Sequence, residues 1–345
     1  MIQVRRHREF GRQAARLIHG RLVLAAALAF GIFSVTLVTE AQQTGKVWRI
    51  AFLGTASPSG LYLAQLDAFR QGLRELGYEE GKNVLLEYRW ANGRYDRLPG
   101  LAAELVRLQP DVLLTHGTPG AQAAKRATTT IPIVMATTGD AVVTGLVASL
   151  GRPGGNVTGH SIFLPEVSAK KFAILKEVLP RIKLVGVPLN PGNPASDVTY
   201  RALDAAARPM GIELMRVEYR GVDEFEAAFL AMVRQRCDAA FLYDDAVLYA
   251  YPERLAEAAV RSRLPTIGFR AFAEAGGLMA YNVDYVELWR RAAVFVDKIL
   301  KGAKPGALPV EQATRFELVV NLKTAKALGL TIPKPVLVRA DTLIE

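Results

Sequence analysis

The chain has one cysteine and four histidines in 345 residues, and only 22% of its residues are charged. A single thiol excludes a disulfide within the chain, and Cys237 reads as a small buried hydrophobe. His7 and His19 fall in the first 21 residues, leaving His116 and His160, too few and wrongly spaced for a histidine-rich metal site. No G-x-G-x-x-G or G-x-x-x-x-G-K-[ST] run is present, which excludes the common nucleotide fingerprints, and no G-x-S-x-G elbow presents a nucleophile. Neither clustered Lys and Arg nor an aromatic platform offers a nucleic-acid surface. No cofactor, metal or catalytic residue is expected. With half of its residues apolar, the chain is instead long enough for about two ordinary domains.

The formal net charge of +10 is partly a property of the first segment. Arg5, Arg6, Arg8, Arg12, Arg16 and Arg21 stand there against Glu9, and an uncharged, mostly apolar run follows from Leu22 to Val38. Basic, then apolar, then the small-x-small run Thr39-Glu40-Ala41 is the order of an export signal. Residues 1–43 are therefore expected to be a signal peptide cleaved after Ala41, or an N-terminal anchor if uncleaved, and either outcome places the rest in the periplasm. Without residues 1–43 the net charge falls to about +6. No cysteine stands at the cleavage point to carry a lipid.

From Lys46 onward short apolar runs alternate with amphipathic stretches. Strands are predicted at Val47–Leu53, Val84–Trp90, Asp111–Thr115 and Ile131–Ala136, with helices at Leu61–Leu76, Leu98–Leu108 and Ala121–Ala127 between them. This is the grammar of a parallel sheet covered on both faces. The same order begins again about 134 residues later: Arg181–Leu189 echoes the first strand, Ile212–Tyr219 the second, Cys237–Phe241 the third and Leu264–Ile267 the fourth. Two doubly wound α/β lobes of like topology are expected. The glycine-dense junction Gly151–Gly159 suits a tight turn followed by an extended crossing strand. The tail adds a helix from Val286 to Leu300, a strand Arg315–Asn321 and a short helix Leu322–Leu328.

In open α/β sheets ligands sit outside the carboxyl ends of the strands. In the first lobe those loops are Gly54–Ser57, His116–Gly120 and Thr137–Asp140, rich in hydroxyls and glycine, which suits a small anion held by backbone N–H groups at helix N-termini. In the second they are Asn190–Ser196, Tyr243-Asp244-Asp245 and Phe269-Arg270, which suit an ammonium group and an apolar or aromatic side chain. Ordinary turn chemistry selects many of the same residue types. Adjacent strand residues point to opposite sides, so one of Asp244 and Asp245 is expected to face the cleft. His116 either lines the cleft or is a satisfied structural histidine.

Several long runs, taken in order, resemble the ABC transporter substrate-binding protein family related to the tryptophan- and tyrosine-binding lipoproteins of bacteria. They are Trp48–Gly54, Phe69–Tyr78 with Glu80–Asn83, Ile131–Val134 with Gly139-Asp140, Leu150–Gly159, Glu274–Tyr281 and Phe316–Ala325. The resemblance implies a type I periplasmic-binding fold, two Rossmann-like lobes joined by a hinge and closing on a small solute for delivery to an ABC permease; the solute itself does not follow from it, and the strand-end loops suit an amino acid or similar small carboxylate or amide. By this resemblance lobe one is 46–160 plus about 285–312, and lobe two is 161–284 plus about 313–345. It also implies a monomer with no nucleic-acid partner, and maps the ligand groups to Gly54, Thr55, Thr118, Asp140, Ser161, Asn190, Asp244 and Phe269. Pro188, Pro209 and the run Asp244-Asp245-Ala246 depart from the family's usual pattern. The alternative is a ligand-sensing receptor domain for a membrane signalling partner. A repressor with the same lobes would begin with a helix-turn-helix, which the basic and then apolar leader is not.

Overall fold

Buried apolar runs bounded by amphipathic helices assemble here into two sheets, each covered by helices. The computed structural model describes residues 46–58, 60–162 and 164–345, so the leader reading for residues 1–43 lies outside the described residues. The first sheet begins with β1 (Trp48–Gly54), α1 (Gly60–Glu75), β2 (Val84–Trp90), α2 (Leu98–Arg107), β3 (Val112–His116), α3 (Gly117–Ala127), β4 (Ile133–Thr137) and β5 (Val157–Ser161). The second takes up the chain with α4 (Leu164–Val178), β6 (Leu184–Leu189), α5 (Ser196–Ala207), β7 (Glu213–Glu218), α6 (Phe225–Arg234) and β8 (Ala239–Phe241). It continues through α7 (Ala246–Ala250), α8 (Pro252–Arg261), β9 (Thr266–Gly268), α9 (Arg270–Glu274) and β10 (Met279–Val283). Next come α10 (Tyr285–Leu300), β11 (Glu311–Gln312), β12 (Phe316–Asn321), α11 (Leu322–Leu328), α12 (Lys334–Arg339) and β13 (Thr342–Ile344).

The strand orders are β11-β5-β4-β3-β1-β2 and β13-β12-β10-β9-β8-β6-β7, so β1–β5 and β6–β10 repeat one topology. Among the described residues the ladders are parallel except for β10 with β12. Parallel strands covered on both faces must be apolar throughout, and β3 and β4 are buried at every position. Gly77 and Gly211 take left-handed backbone (φ +87° and +68°) where their helical segments end. Pro188 lies within β6 in register with Val217 and leaves that strand paired, and Pro209 falls in a short 3-10 turn after α5, closed by Gly211.

The first strand of each lobe lies inside its sheet, next to the edge strand, and the chain leaves it for that edge before returning to the other side. This puts a switch point between β1 and β3 and another between β6 and β8. The chain crosses between sheets after β5, between β10 and β11, and again between β11 and β12. On the second crossing α10 packs along α1 so closely that a Cβ on Gly72 would stand 2.3 Å from the Arg290 carbonyl oxygen.

Gly159, in the strand before the first crossing, has φ +125°, and a Cβ there would lie 2.2 Å from the Met135 carbonyl oxygen. Gly77 shares the positive φ but has nothing within 4 Å of such an atom. Gly159→Ala is expected to destabilise by at least about 3 kcal/mol, from backbone strain and clash together, and Gly77→Ala by only about 1 kcal/mol. Urea unfolding of both variants checks this, and equal midpoints would refute it.

Candidate functional site

The helices that follow the central strands start beside one another, so the first turns of α1, α3, α7 and α10 bring their side chains to one place. Two small cavities lie there. The first, about 70 Å³, is hydroxylic and polar, with Thr118, Thr137, Thr138, Asp140, Asn193, Thr199 and Tyr243 in its wall. The second, about 50 Å³, is aromatic, lined by Tyr62, Gln65, His116, Tyr249 and Trp289. Gly117, Thr137, Asp244, Ala246 and Tyr285 line both, so Asp244 stands where the two chambers meet. A larger groove of about 550 Å³ lies beyond Tyr95, with Arg94, Arg126 and Arg220 along it.

Of the expected site residues, Thr118, Asp140 and Asp244 are brought together at the polar chamber. Thr118 Oγ1 lies 3.2 Å from Thr138 Oγ1, at the N-terminus of α3. Gly120 lets the start of α3 pack against β3, since a Cβ there would stand 2.5 Å from Thr115 Oγ1. Asp140 Oδ1 accepts from the N–H groups of Val142 and Val143, both at 3.0 Å. Ser161 Oγ donates to the Gly139 carbonyl and accepts from the Ala141 N–H, so it shapes the loop that carries Asp140.

Gly54, Thr55, Ser161 and Phe269 line none of the three spaces just described. Gly54 packs under Trp90, where a Cβ would lie 2.2 Å from the indole. Phe269 is fully buried and stacks on Tyr249 at 4.1 Å, so it supports a chamber wall from behind. Asn190 lines the outer groove, and its Oδ1 accepts from the Gly192 N–H.

The Thr55 N–H donates to His116 Nε2 at 3.1 Å, which puts the proton of the neutral ring on Nδ1. Burial pushes the His116 pKa down to about 3. The ring packs among Phe52, Tyr62 and Trp289 and forms part of the aromatic wall as an uncharged group. His160 Nδ1 lies 3.1 Å from the Ala136 carbonyl, and burial takes that histidine to about 4.

Asp244 and Asp245 diverge as the strand geometry requires. Asp244 Oδ1 accepts from Asn282 Nδ2 at 2.9 Å and faces the chambers. Asp245, 1% exposed, caps α7 through the Val247 N–H and accepts from Tyr219 Oη at 2.7 Å, Asn193 Nδ2 at 2.9 Å and Tyr243 Oη at 3.3 Å. A further bond comes from the other lobe: Tyr95 Oη donates to Asp245 Oδ2 at 2.9 Å. Burial first, and then the charge of Asp245, holds the phenols of Tyr95, Tyr219 and Tyr243 well above the ordinary tyrosine range, so they act as donors.

Sequence reasoning missed Tyr62, Gln65, Tyr249, Tyr285 and Trp289. All five sit on helices, within the first two turns of α1, α7 and α10, and the usable signal was an aromatic residue close to a helix start after a strand end.

Two sheets of one topology, three crossings and a cavity between the strand ends define a two-lobed solute-binding protein. Residues 50–344 match the family model for ABC transporter substrate binding proteins, and the chain belongs to that family, which is one of binding proteins rather than enzymes. It is 28% identical over 263 residues to a tyrosine-binding protein of Clostridioides difficile (strain R20291), covering 76% of this chain and 75% of the relative. It resembles a solved ABC domain in complex with L-Trp from Streptococcus pneumonia, with TM-score 0.80, 26% identity, and 86% and 99% of the two chains covered. It also resembles the ligand-free, open structure of a substrate binding protein with adhesive properties from Clostridium difficile, with TM-score 0.62, 25% identity, and again 86% and 99% covered. Among the described residues no helix is long and apolar enough to cross a membrane, and no cluster of three or more His, Cys, Asp or Glu is arranged to hold a metal.

The two buried histidines fix a pH dependence. Between pH 6.5 and about 4 the unfolded chain takes up protons that the folded rings refuse, so stability falls as the pH drops. Each ring contributes a slope of about 1.4 kcal/mol per pH unit across that window. Proton NMR is expected to show the His116 and His160 rings silent between pH 7 and 5; titration of His116 near 6.5 would contradict the assignment.

Proposed function

We propose that this chain is the extracytoplasmic solute-binding component of an ABC importer, exported by its leader, monomeric, and closing two lobes on an amino acid with an aromatic side chain. The observation that carries the reading is the position of Asp244, shared by a hydroxylic chamber at a helix N-terminus and a chamber walled by aromatic rings. A zwitterion fits that arrangement. Its ammonium group pairs with Asp244, its carboxylate meets the α3 N-terminus with Thr118 and Thr138, and its side chain lies among Tyr62, Tyr249, Tyr285 and Trp289. The relatives named for tyrosine and bound to L-Trp support the same class.

Closure is the second part of the proposal. At near-equal identity and coverage, the chain superposes better on the L-Trp complex than on the open, ligand-free relative, so its lobes stand nearer the arrangement of the liganded protein. Solute touching both walls stabilises that state, and the permease reads it. The lobes divide at 46–160 plus about 285–312 and 161–284 plus about 313–345.

Asp244→Asn is expected to weaken binding of L-tyrosine or L-tryptophan about 10- to 100-fold, the worth of a hydrogen bond to a charged group, without lowering the melting temperature of the free protein. Thr118→Ala should have a smaller effect of the same sign. Unchanged calorimetric affinity in both variants would remove these residues from the site.

Tyr95→Phe deletes the Asp245 hydrogen bond that crosses between lobes, whereas Tyr219→Phe deletes one within the second lobe. The first should lower affinity for every solute by one common factor, about 10-fold, and expand the free protein in small-angle scattering. The second should leave the scattering profile unchanged. Identical profiles for both variants would show that Tyr95 does not bias closure.

A further inference from the structure

The aromatic chamber is unfinished as a hydrogen-bonding surface. Gln65, one turn after Tyr62 in α1, is 2% exposed and lines the chamber; its amide makes no hydrogen bond among the described residues and is not among the buried atoms left without a partner, so it keeps accessible surface. Trp289 in α10 is fully buried, and its Nε1–H is one of three buried side-chain atoms without a partner there, with Gln122 Oε1 and His160 Nε2. Both residues line this one chamber, whose other walls are the rings of Tyr62, His116, Tyr249 and Tyr285 and the polar side chains of Thr137, Asp244 and Asp245. Folded proteins rarely leave a buried indole N–H unpaired, and where they do a water or a ligand group is the usual partner.

His116 does not fill the gap, because its Nε2 already accepts from the Thr55 N–H. Trp289 has only a donor to offer, and Gln65 has an acceptor and donors. The group that satisfies both accepts from Trp289 Nε1–H while donating to Gln65 Oε1. A hydroxyl does this with one atom.

We infer that Gln65 and Trp289 are specificity-determining residues that read a hydroxyl at the far end of an aromatic solute side chain. The inference rests on the proposed binding of an aromatic amino acid and adds a ranking to it. Tyrosine satisfies both groups. Tryptophan donates its own indole N–H to Gln65 and leaves Trp289 unpaired. Phenylalanine satisfies neither and seals two polar groups under a ring. The order of affinity is tyrosine, tryptophan, phenylalanine, because a site built around a hydroxyl rejects the analogue that lacks it far more strongly than an apolar pocket does.

Calorimetric titration of the purified protein with L-tyrosine, L-tryptophan and L-phenylalanine tests this. Tyrosine is expected to bind at least about 30-fold tighter than phenylalanine, with tryptophan between. In Gln65→Met, of similar volume, that ratio should shrink to within about 3-fold, through weaker tyrosine binding and unchanged or tighter phenylalanine binding. Trp289→Phe should act in the same direction; should it fail to fold, Gln65→Met decides alone. Comparable wild-type affinity for all three ligands would overturn the inference while leaving the aromatic amino-acid reading intact. An equal loss for all three in Gln65→Met would also overturn it, by making Gln65 merely structural. Binding of none of the three would overturn both.

Discussion

The cleft depends on one buried carboxylate. Asp245 is out of contact with water, and burying such a group is costly unless its oxygens are fully hydrogen-bonded. Here they are: a helix N–H, an asparagine amide and three tyrosine hydroxyls converge on it. The consequence is geometric. With Asp245 fixed, the segment from Tyr243 to Tyr249 has one orientation, which turns Asp244 outward into the cavities and starts α7 so that Tyr249 stacks on Phe269. The same carboxylate reaches across to the first lobe through Tyr95. The orientation of Asp244 and the Tyr95 contact between lobes therefore both depend on Asp245, which also lines the aromatic chamber.

Charge around the cleft is concentrated in carboxylates, with Asp140 and Asp244 both in the wall of the polar chamber. Asp244 has a buried cation behind it: Lys171 is 2% exposed, donates to the Leu242 carbonyl at 3.3 Å and lies 5.2 Å from the centre of the Phe241 ring. Burial depresses the Lys171 pKa, and the charge of Asp244 counters that depression. On the other side His116 is neutral, and burial with the nearby carboxylates raises Tyr62, Tyr249 and Tyr285 far above their usual range. In the proposed reading the aromatic rings recognise shape, and charged recognition falls to Asp244, Asp140 and the α3 terminus. That division is why an amphipathic zwitterion suits the site better than a sugar, which would want acceptors and donors distributed all round.

The doubled topology was readable because buried parallel strands must be apolar along their whole length, and β2 (Val84–Trp90) and α11 (Leu322–Leu328) fall on their predicted bounds. Strand starts were read one to three residues early where polar or proline residues precede the paired segment, as at Arg181 before Leu184 and Ile131 before Ile133. α4 and α8 went unplaced in the pass along the chain, although each presents a buried face. The cavity lining was legible as far as it is built from strand-end loops, which place Thr118, Asp140 and Asp244 in the wall of the polar chamber. It failed where the wall comes from helices. Tyr62, Tyr285 and Trp289 reach the cavity only because α1 and α10, more than 200 residues apart in sequence, pack side by side. Gly54 and Phe269 show the converse: a strand-end position does not decide whether a residue faces the ligand or supports the residue that does.

The strength of the Tyr95 contact sets a limit on how this cleft can work. A binding-competent state that is rarely populated lowers apparent affinity in proportion to its population, so an interlobe bond that needs no solute raises affinity by raising that population. The gain ends once the closed state dominates, and from there further stabilisation only slows entry and release. A charge-assisted bond is worth about 1.5–3 kcal/mol, enough to shift the population 10- to 100-fold. The contact partner is a single phenol on a short 3-10 turn, Tyr95–Arg97, placed between β2 and α2. Under the proposed closure, the Tyr95 bond adds to the Tyr62 hydroxyl on the Ala246 carbonyl and to the contacts of Tyr249 with Tyr62 and Tyr285, and the solute's own contacts with both walls decide between the two states.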